Sequence, residues 1–533
     1  MQVIQTQNQL QQELMLVFNK LNKMKKILLI AIAISVTMLG VNCTKMLEEK
    51  PIGLLAPEGF FKSKRDVEAA VFGAYGLIAS EPLFGRLFVS ALMLRSDMVD
   101  IGDRATAVER LQVNEFTMDV NNGMVIRSWP VWYQVISATN NAEAGAKSLG
   151  LAAADINPLI AEAKFVRAFS YFHLVRVFGD IPYVDAVASP ESLKGISKTK
   201  EADVYKAIIE ELKFAKEWLP ARQPNDVRTR PTKATAAAYL ASIYLTIGDF
   251  PNAYTEAKWV IDNRTTYNLI LEADFQNLFR ANLGNNMREH IFAADFVGRL
   301  FGPGPGGQND DLMGPMTGVR GPAEQGFGVL VPALRVYTTW DANDYRRQVS
   351  FTDFTVQPTT GVRVDFPNFQ NERRPHIAKW RRFPGNADLN GRYSDHNYPD
   401  MRYAEVLLIA AEALTETTGS ATLEAIGYLN EIRARARNRA GVPQLAPSNL
   451  LVTSFTSKNQ LIDAILEDRR LELAFEFKRW YDIKRRRLGD IVFKGPNSLE
   501  PQPNFNPNRD YLMPLPAQEL ELNANLRPNN PGY

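Results

Sequence analysis

Four histidines, His173, His290, His376 and His396, are the whole imidazole content of 533 residues. No two lie at the i,i+4 spacing that seats a zinc ion on one helix face, so they read as core or solvated histidines. Gly302-Pro303-Gly304-Pro305-Gly306-Gly307 has the glycines of a phosphate cradle, but its prolines and the lack of a helical pattern after it make it a turn. Asp310 and Asp311 are of the type that glycoside hydrolysis uses; adjacency in sequence sets no catalytic separation, and they read as solvated loop charge. The run Asn386-Ala387-Asp388-Leu389-Asn390-Gly391 places oxygen side chains at alternate positions before a glycine, as calcium loops do. Asn386 stands where aspartate is preferred and Asn397 where the closing glutamate belongs. A turn held by Asx hydrogen bonds is therefore the first reading of Asn386, Asp388 and Asn390, with calcium the alternative.

What remains is recognition chemistry. Residues 274–399 gather Phe301, Phe327, Phe351, Phe354, Phe366, Phe369 and Tyr393 among Asn, Asp, Gln and Arg. Exposed rings stack on the apolar faces of sugars, and the polar neighbours bind hydroxyls. Phe301, Phe327 and Tyr393 are the candidate ligand contacts, whereas Trp340 and Trp380 read as core.

The only cysteine, Cys43, follows a short apolar run headed by Lys25 and Lys26. That run is too short to cross a bilayer core and has the layout of an export signal. A lone thiol just after it reads as a lipid attachment point, although Asn42 precedes it where such signals carry a small residue. Residues 1–23 are an expected extension upstream of the natural start at Met24, residues 24–42 the signal, and residues 43–60 a lipidated tether broken by Pro51, Gly53 and Pro57. No later segment reads as a membrane span.

The 61 basic and 59 acidic side chains nearly cancel, which gives no electrostatic case for nucleic acid. With one cysteine there is no intrachain disulfide, so the fold rests on its core. Helical periodicity is predicted over Ser63–Ile78, from near Trp129, over Leu159–Phe178, Asp203–Leu219, Lys233–Ile247 and Pro251–Asn263, and again over Met401–Arg437 and Leu461–Lys484. From Ala234 the pattern Leu240-Ala241, Tyr244, Gly248, Ala253 and Ala257 fits a tetratricopeptide frame, and Ala410-Ala411, Leu414, Ala425, Leu429 and Ile432 repeat it. Between the two lies the insert 274–399, rich in Gly, Pro, Asn and aromatics, where ordered loops with short strands are expected. The body 61–533 is thus expected as one unit, with a helical part 61–273, the insert, and a helical part 400–533.

Several blocks, in order, resemble the SusD/RagB family of outer-surface nutrient-binding lipoproteins: Phe60-Phe61-Lys62-Ser63, Trp132-Tyr133-Gln134-Val135-Ile136, and Glu162-Ala163-Lys164-Phe165-Val166-Arg167-Ala168 through Phe178-Gly179-Asp180-Ile181-Pro182. Arg402-Tyr403-Ala404-Glu405, Glu467-Asp468-Arg469-Arg470-Leu471-Glu472-Leu473, Arg479-Trp480-Tyr481-Asp482 and the final Asn530-Pro531-Gly532-Tyr533 continue the series. The resemblance implies a mainly α fold of about four tetratricopeptide-like helix pairs carrying a loop-rich insert with short strands. It implies a non-enzymatic lipoprotein on the cell outer membrane, facing outward, that captures a glycan and passes it to a TonB-dependent, SusC-like transporter. A peptide-capturing member of the same kind of transport complex is the nearer alternative. A glycoside hydrolase on a helical-repeat scaffold is the more distant one.

Overall fold

The helices start and stop where local chemistry dictates. Helix α1 (Lys64–Ile78) begins after Ser63, whose N–H donates to the Asp66 carboxylate at 2.8 Å. Helix α2 (Leu87–Leu94) is buried on every side, and α3 (Val108–Asn114) follows it. Helices α4 (Gly123–Ser148) and α5 (Ala153–Phe178) are the long pair, and Gly179 ends α5 at φ 72°. Helix α6 (Glu201–Trp218) leads to α7 (Lys233–Ile247), capped by Thr232 and ended by Gly248 at φ 80°. Helix α8 (Phe250–Asp262) starts on the Asp249 cap with Pro251 in its first turn. Helices α9 (Tyr403–Thr418), α10 (Leu423–Ala436), α11 (Lys458–Glu472) and α12 (Arg479–Arg485) are the remaining helices of seven or more residues from residue 61 onward, and shorter ones lie between and after them.

In this computed structural model the described residues are 15–26, 60–296, 311–370, 372–380 and 395–533. Residues 15–26 form an exposed helix. Of the expected signal only Met24, Lys25 and Lys26 fall there; the rest of it, Cys43 and the tether up to residue 59 lie outside the described residues.

From residue 61 onward, eight helices follow one another, each packed on the next: α1 on α4, α4 on α5, α5 on α6, α6 on α7, α7 on α8, α8 on α9 and α9 on α10. That is the expected stack of four helix pairs. Its continuity from α8 to α9 matters, because some 140 residues separate them in sequence. The insert leaves the stack and returns to it through one antiparallel pair, β2 (His290–Ala294) with β8 (Tyr398–Arg402), every residue of which is buried. Other strands are two or three residues long, paired antiparallel: β1 (Val99–Ile101) with β3 (Leu330–Pro332), β4 (Phe351–Thr352) with β7 (His376–Ile377), and β5 (Phe354–Val356) with β6 (Arg363–Asp365).

A buried charge cluster fastens that neck to the C-terminal helices. Arg402, at the end of β8, donates to Glu289 at 2.5 Å, to Glu476 at 2.7 Å and to Glu472 at 3.1 Å. Lys379 of the insert reaches Glu476 at 2.6 Å, Arg346 reaches Asp344 at 2.7 Å, Arg435 reaches Glu289 at 2.9 Å and Arg433 reaches Asp468 at 2.6 Å. The five cations thus face five carboxylates. Arg435 and Lys379 also lie over the Phe275 ring at 4.7 and 4.9 Å. Burial alone raises a carboxyl, yet the surrounding Arg435, Arg402 and Arg346 hold Glu472 below the ordinary range. Burial also pulls Lys379 down to about 8, against the pull of Glu476.

One helical expectation is corrected. Leu461–Lys484 is not one helix: α11 stops at Glu472 and α12 starts at Arg479. Phe475 and Phe477 between them take φ 64° and 66°, which turns Glu476 toward Arg402 and stacks Phe477 on Trp380 at 4.8 Å. Tertiary pairing of one carboxylate and one ring outweighs the helical period here. The run Lys64–Gly85 is apolar and long enough by composition to cross a membrane. It is α1 followed by a separate turn with a break at Leu83, and Val67, Val71, Ala74 and Ile78 are the face buried in the core.

Candidate ligand-binding face

Phe327 is the one candidate contact among the described residues; Phe301 and Tyr393 lie outside them, as do Asn386, Asp388 and Asn390. Its position follows from backbone pairing. Strand β1 runs against β3 with Asp100 opposite Val331. The pairing continues past the strands, with Gly102 N–H donating to Val329 O at 2.9 Å and Asp103 N–H to Gly328 O at 3.1 Å. Gly102 permits this approach, since a Cβ there would lie 2.2 Å from Gly328 O and 2.8 Å from Val331 Cγ1. Gly326 is packed as tightly, with a Cβ position 2.1 Å from the Gly318 carbonyl. Phe327 sits between these glycines, its N–H bonded to Pro315 O at 2.6 Å and its half-buried ring packed on the core.

Charged side chains from both segments gather at this junction. Arg320 donates to the Asp103 carboxylate at 2.5 Å and to Phe327 O at 3.0 Å. Arg374 donates to Asp100 at 3.0 Å and lies 4.0 Å from Glu372. Arg104 is 3.9 Å from Asp100 and bonds Glu115. The Arg320 hydrogen bond holds Asp103 below the usual carboxylate range. Burial, then the Asp100 charge, pushes Glu500 up to about 7, with Arg374 and Arg104 opposing. Glu372 rises for the same first reason. The junction thus gathers guanidinium donors and carboxylate acceptors, one of the guanidiniums bonded to the Phe327 carbonyl. Asp100 is 9% exposed, and its oxygens are taken by Ile101 N–H at 2.7 Å, by Arg374 and by Arg104. In that bonding it is a fixed anion rather than a free nucleophile.

The remaining insert rings divide. Phe351, Phe369, Trp340 and Trp380 are buried. Phe354 on β5 is 38% exposed, with Arg363 of β6 at 3.8 Å over its ring. Phe366 packs edge-on to Tyr337 at 5.6 Å, and Arg347 covers Tyr337 at 3.9 Å. All four histidines are buried. Asp311 corrects the reading of solvated loop charge: it is buried and bonded to Tyr398 Oη and Met313 N–H. Asn397, the twelfth position of the calcium-like run, is also committed, accepting from Phe296 N–H at 3.0 Å and donating to Asn285 at 2.8 Å. Among the described residues no group of three or more His, Cys, Asp or Glu is arranged to hold a metal ion.

Asp100, Asp103, Arg104, Arg320, Arg374 and Glu500 were not singled out by sequence. They come from segments up to 400 residues apart, and Asp103 and Arg320 are brought into reach of each other where β1 pairs with β3.

Comparison with known proteins agrees with the fold. The family profile described as "SusD family" matches residues 333–533, and one described as "Starch-binding associating with outer membrane" matches residues 86–245. The chain is 48% identical over 520 residues to "SusD-like protein P2" of Formosa agariphila, covering 96% of this chain and 100% of that one. Among solved structures, a SusD homolog from Bacteroides thetaiotaomicron superposes with a TM-score of 0.76 at 19% identity, covering 90% of this chain and 98% of its own. A laminarin-binding SusD-like protein superposes with a TM-score of 0.71 at 23% identity, covering 89% and 100%.

Proposed function

The chain belongs to the SusD family, and from that premise we propose that it is a non-catalytic surface receptor that captures oligo- or polysaccharide and passes it to a TonB-dependent, SusC-like transporter. The observation that carries the glycan reading is Phe327, a half-buried ring held at the rim of a face dense in donors and acceptors. A ring in that setting takes the apolar face of a sugar while Asp103, Arg320, Glu372 and Arg374 bind its hydroxyls. Supporting it are the laminarin named for one structural neighbour and the starch named in one family description. Phe301 and Tyr393 are proposed to join Phe327 from the parts of the insert outside the described residues. Calcium at Asn386, Asp388 and Asn390 is not required by this reading, and Asn397, already bonded, would not close such a loop.

The same proposal assigns residues 24–42 to a signal peptide and Cys43 to lipid attachment, with residues 43–60 as tether and 61–533 as the outward-facing ectodomain on the outer membrane. Acyl chains at ~0.8 kcal/mol per buried CH₂ hold such an ectodomain durably when two or more are present. Isothermal titration against soluble polysaccharides and against peptides tests the cargo; membrane fractionation of Cys43→Ala tests the anchor.

The mixed charge of the face supports a second reading, capture of peptides, whose termini and side chains pair with Arg104, Arg320, Arg374 and the carboxylates. Saturable binding of peptides with no response to any glycan decides for it.

A further inference from the structure

A cleft of about 720 Å³ opens on the helical side of the ectodomain, lined by the ends of α5 and α7, the start of α6, and α12, with no contribution from the insert. Its cations are not equally balanced. Lys200 pairs with Asp180 at 2.8 Å, Lys206 pairs with Asp203 at 2.8 Å, and Arg485 is held by Glu412 and Asp482. Arg176, Lys484 and Arg487 have no carboxylate within ion-pair distance among the described residues, and Glu201 is the remaining acid in the lining.

Arg176 is the informative one. It is 5% exposed, and its guanidinium is clasped 3.6 Å over Phe172 and 3.5 Å over Tyr481. Its Nε donates to Phe172 O at 3.0 Å and its Nη2 lies 3.3 Å from His173 Nδ1. Nη1 has no hydrogen-bond partner among the described residues and is not among the side-chain nitrogens sealed from solvent, so it opens to the cleft. Lys484 Nζ donates to the Arg176 backbone O at 2.6 Å, and both residues line the cleft, the ammonium with further donors to spare. Burial pulls Lys484 down to about 8, with the Glu201 charge opposing and the neighbouring Arg176 and Arg487 adding to the fall. Arg487 lies 4.4 Å over the Tyr511 ring at the rim. Helix C-termini favour cations, which explains basic residues here in general. It does not explain a rigid, nearly buried guanidinium with an open donor. Tyr205, Ile209 and Ile247 supply an apolar wall for whatever carries the anion.

We propose that this cleft binds an oxyanion, a carboxylate or sulfate group of a small ligand, gripped by Arg176 and Lys484 with Arg487 at the mouth. The oxyanion comes either free or as the substituent of a charged saccharide, and the site is independent of the insert face. The test uses the full chain. Sodium sulfate is titrated against sodium chloride at matched ionic strength, with thermal unfolding and calorimetry as readouts. A saturable rise in Tm is expected with sulfate only. The rim variant Lys484→Gln/Arg487→Gln is expected to weaken sulfate by about tenfold, and Arg176→Lys, which keeps the charge but not the fork, to weaken it as well. A sulfated or uronic disaccharide that binds about tenfold more tightly than inorganic sulfate identifies the saccharide-borne anion; equal affinity identifies the free one. A sulfate response that never saturates, or is unchanged in both variants, overturns the proposal. So does binding of polyglutamate with none of sulfate. A neutral glycan that still binds both variants separates failure here from failure of the insert-face reading.

Discussion

Arg320 and Asp103 form an ion pair at 2.5 Å that ties the loop after β1 to the insert segment carrying Phe327. The two residues lie 217 positions apart, and the same guanidinium also holds the Phe327 carbonyl. The proposed ligand face therefore depends on a junction between the N-terminal helical part and the insert, and its weak points are the residues that allow the approach.

Gly102 is the first of these. Gly102→Ala places a methyl group 2.2 Å from Gly328 O, a backbone atom that moves only if β1 and β3 part. The variant is expected to lose about 1–3 kcal/mol in urea unfolding and to lose glycan affinity along with it. Unchanged affinity in Gly102→Ala means that the β1–β3 junction does not shape the site.

The neck cluster is a second weak point. Arg402→Met leaves Glu289, Glu472 and Glu476 buried beside fewer cations. The expected cost is about 3–5 kcal/mol, read as a shift in the urea midpoint at constant slope. A loss below about 1 kcal/mol means that the cluster is no tighter than a surface pair.

The histidines give a pH prediction with a definite sign. Burial lowers His290 to about 3, helped by Arg402, and lowers His396 to about 4. Both folded values lie below the unfolded value near 6.5, so the unfolded chain binds more protons between them. Their contribution is fully present above pH 6.5 and is lost as pH falls toward 4, at about 1.4 kcal/mol per pH unit for each imidazole. Denaturation at pH 7.5, 6 and 5 checks the slope. His396→Phe, which cannot protonate, is expected to flatten it by about one proton's worth.

Glu500 titrates the other way. Raised to about 7 by burial and by Asp100, it is protonated in the folded state where ordinary glutamates are charged. Its folded value exceeds the unfolded one, so it favours the folded state below about pH 4.5 and that contribution fades as pH rises through 7. Carboxyl-carbon NMR titration is expected to find its midpoint near 7, moving down in Asp100→Asn. A midpoint already at the ordinary value, in a folded sample, contradicts the packing described for this corner of the face.

Much of the scaffold was legible in the residues. Ala234 to Ala257 carried the repeat frame, and Gly179 and Gly248 marked helix ends because a left-handed stop needs no Cβ. The break at Phe475–Phe477 was not legible, because it is enforced by Arg402 and Trp380 from distant segments. The proposed ligand face was half legible. Aromatic content pointed at the insert and at Phe327, but composition cannot sort Phe351 and Phe369, which are core, from Phe354, which is exposed. Nor can it announce Asp103, whose role exists only because Arg320 folds back onto it.

The most direct measurement is calorimetric titration of the intact protein and of Phe327→Ala with a panel of soluble polysaccharides, with a peptide mixture run beside it. At least one glycan is expected to bind saturably without being cleaved, and Phe327→Ala to bind it about three- to tenfold more weakly, the worth of one stacked ring. Peptide binding alone, cleavage of the glycan, or a folded Phe327→Ala with undiminished affinity would contradict the account.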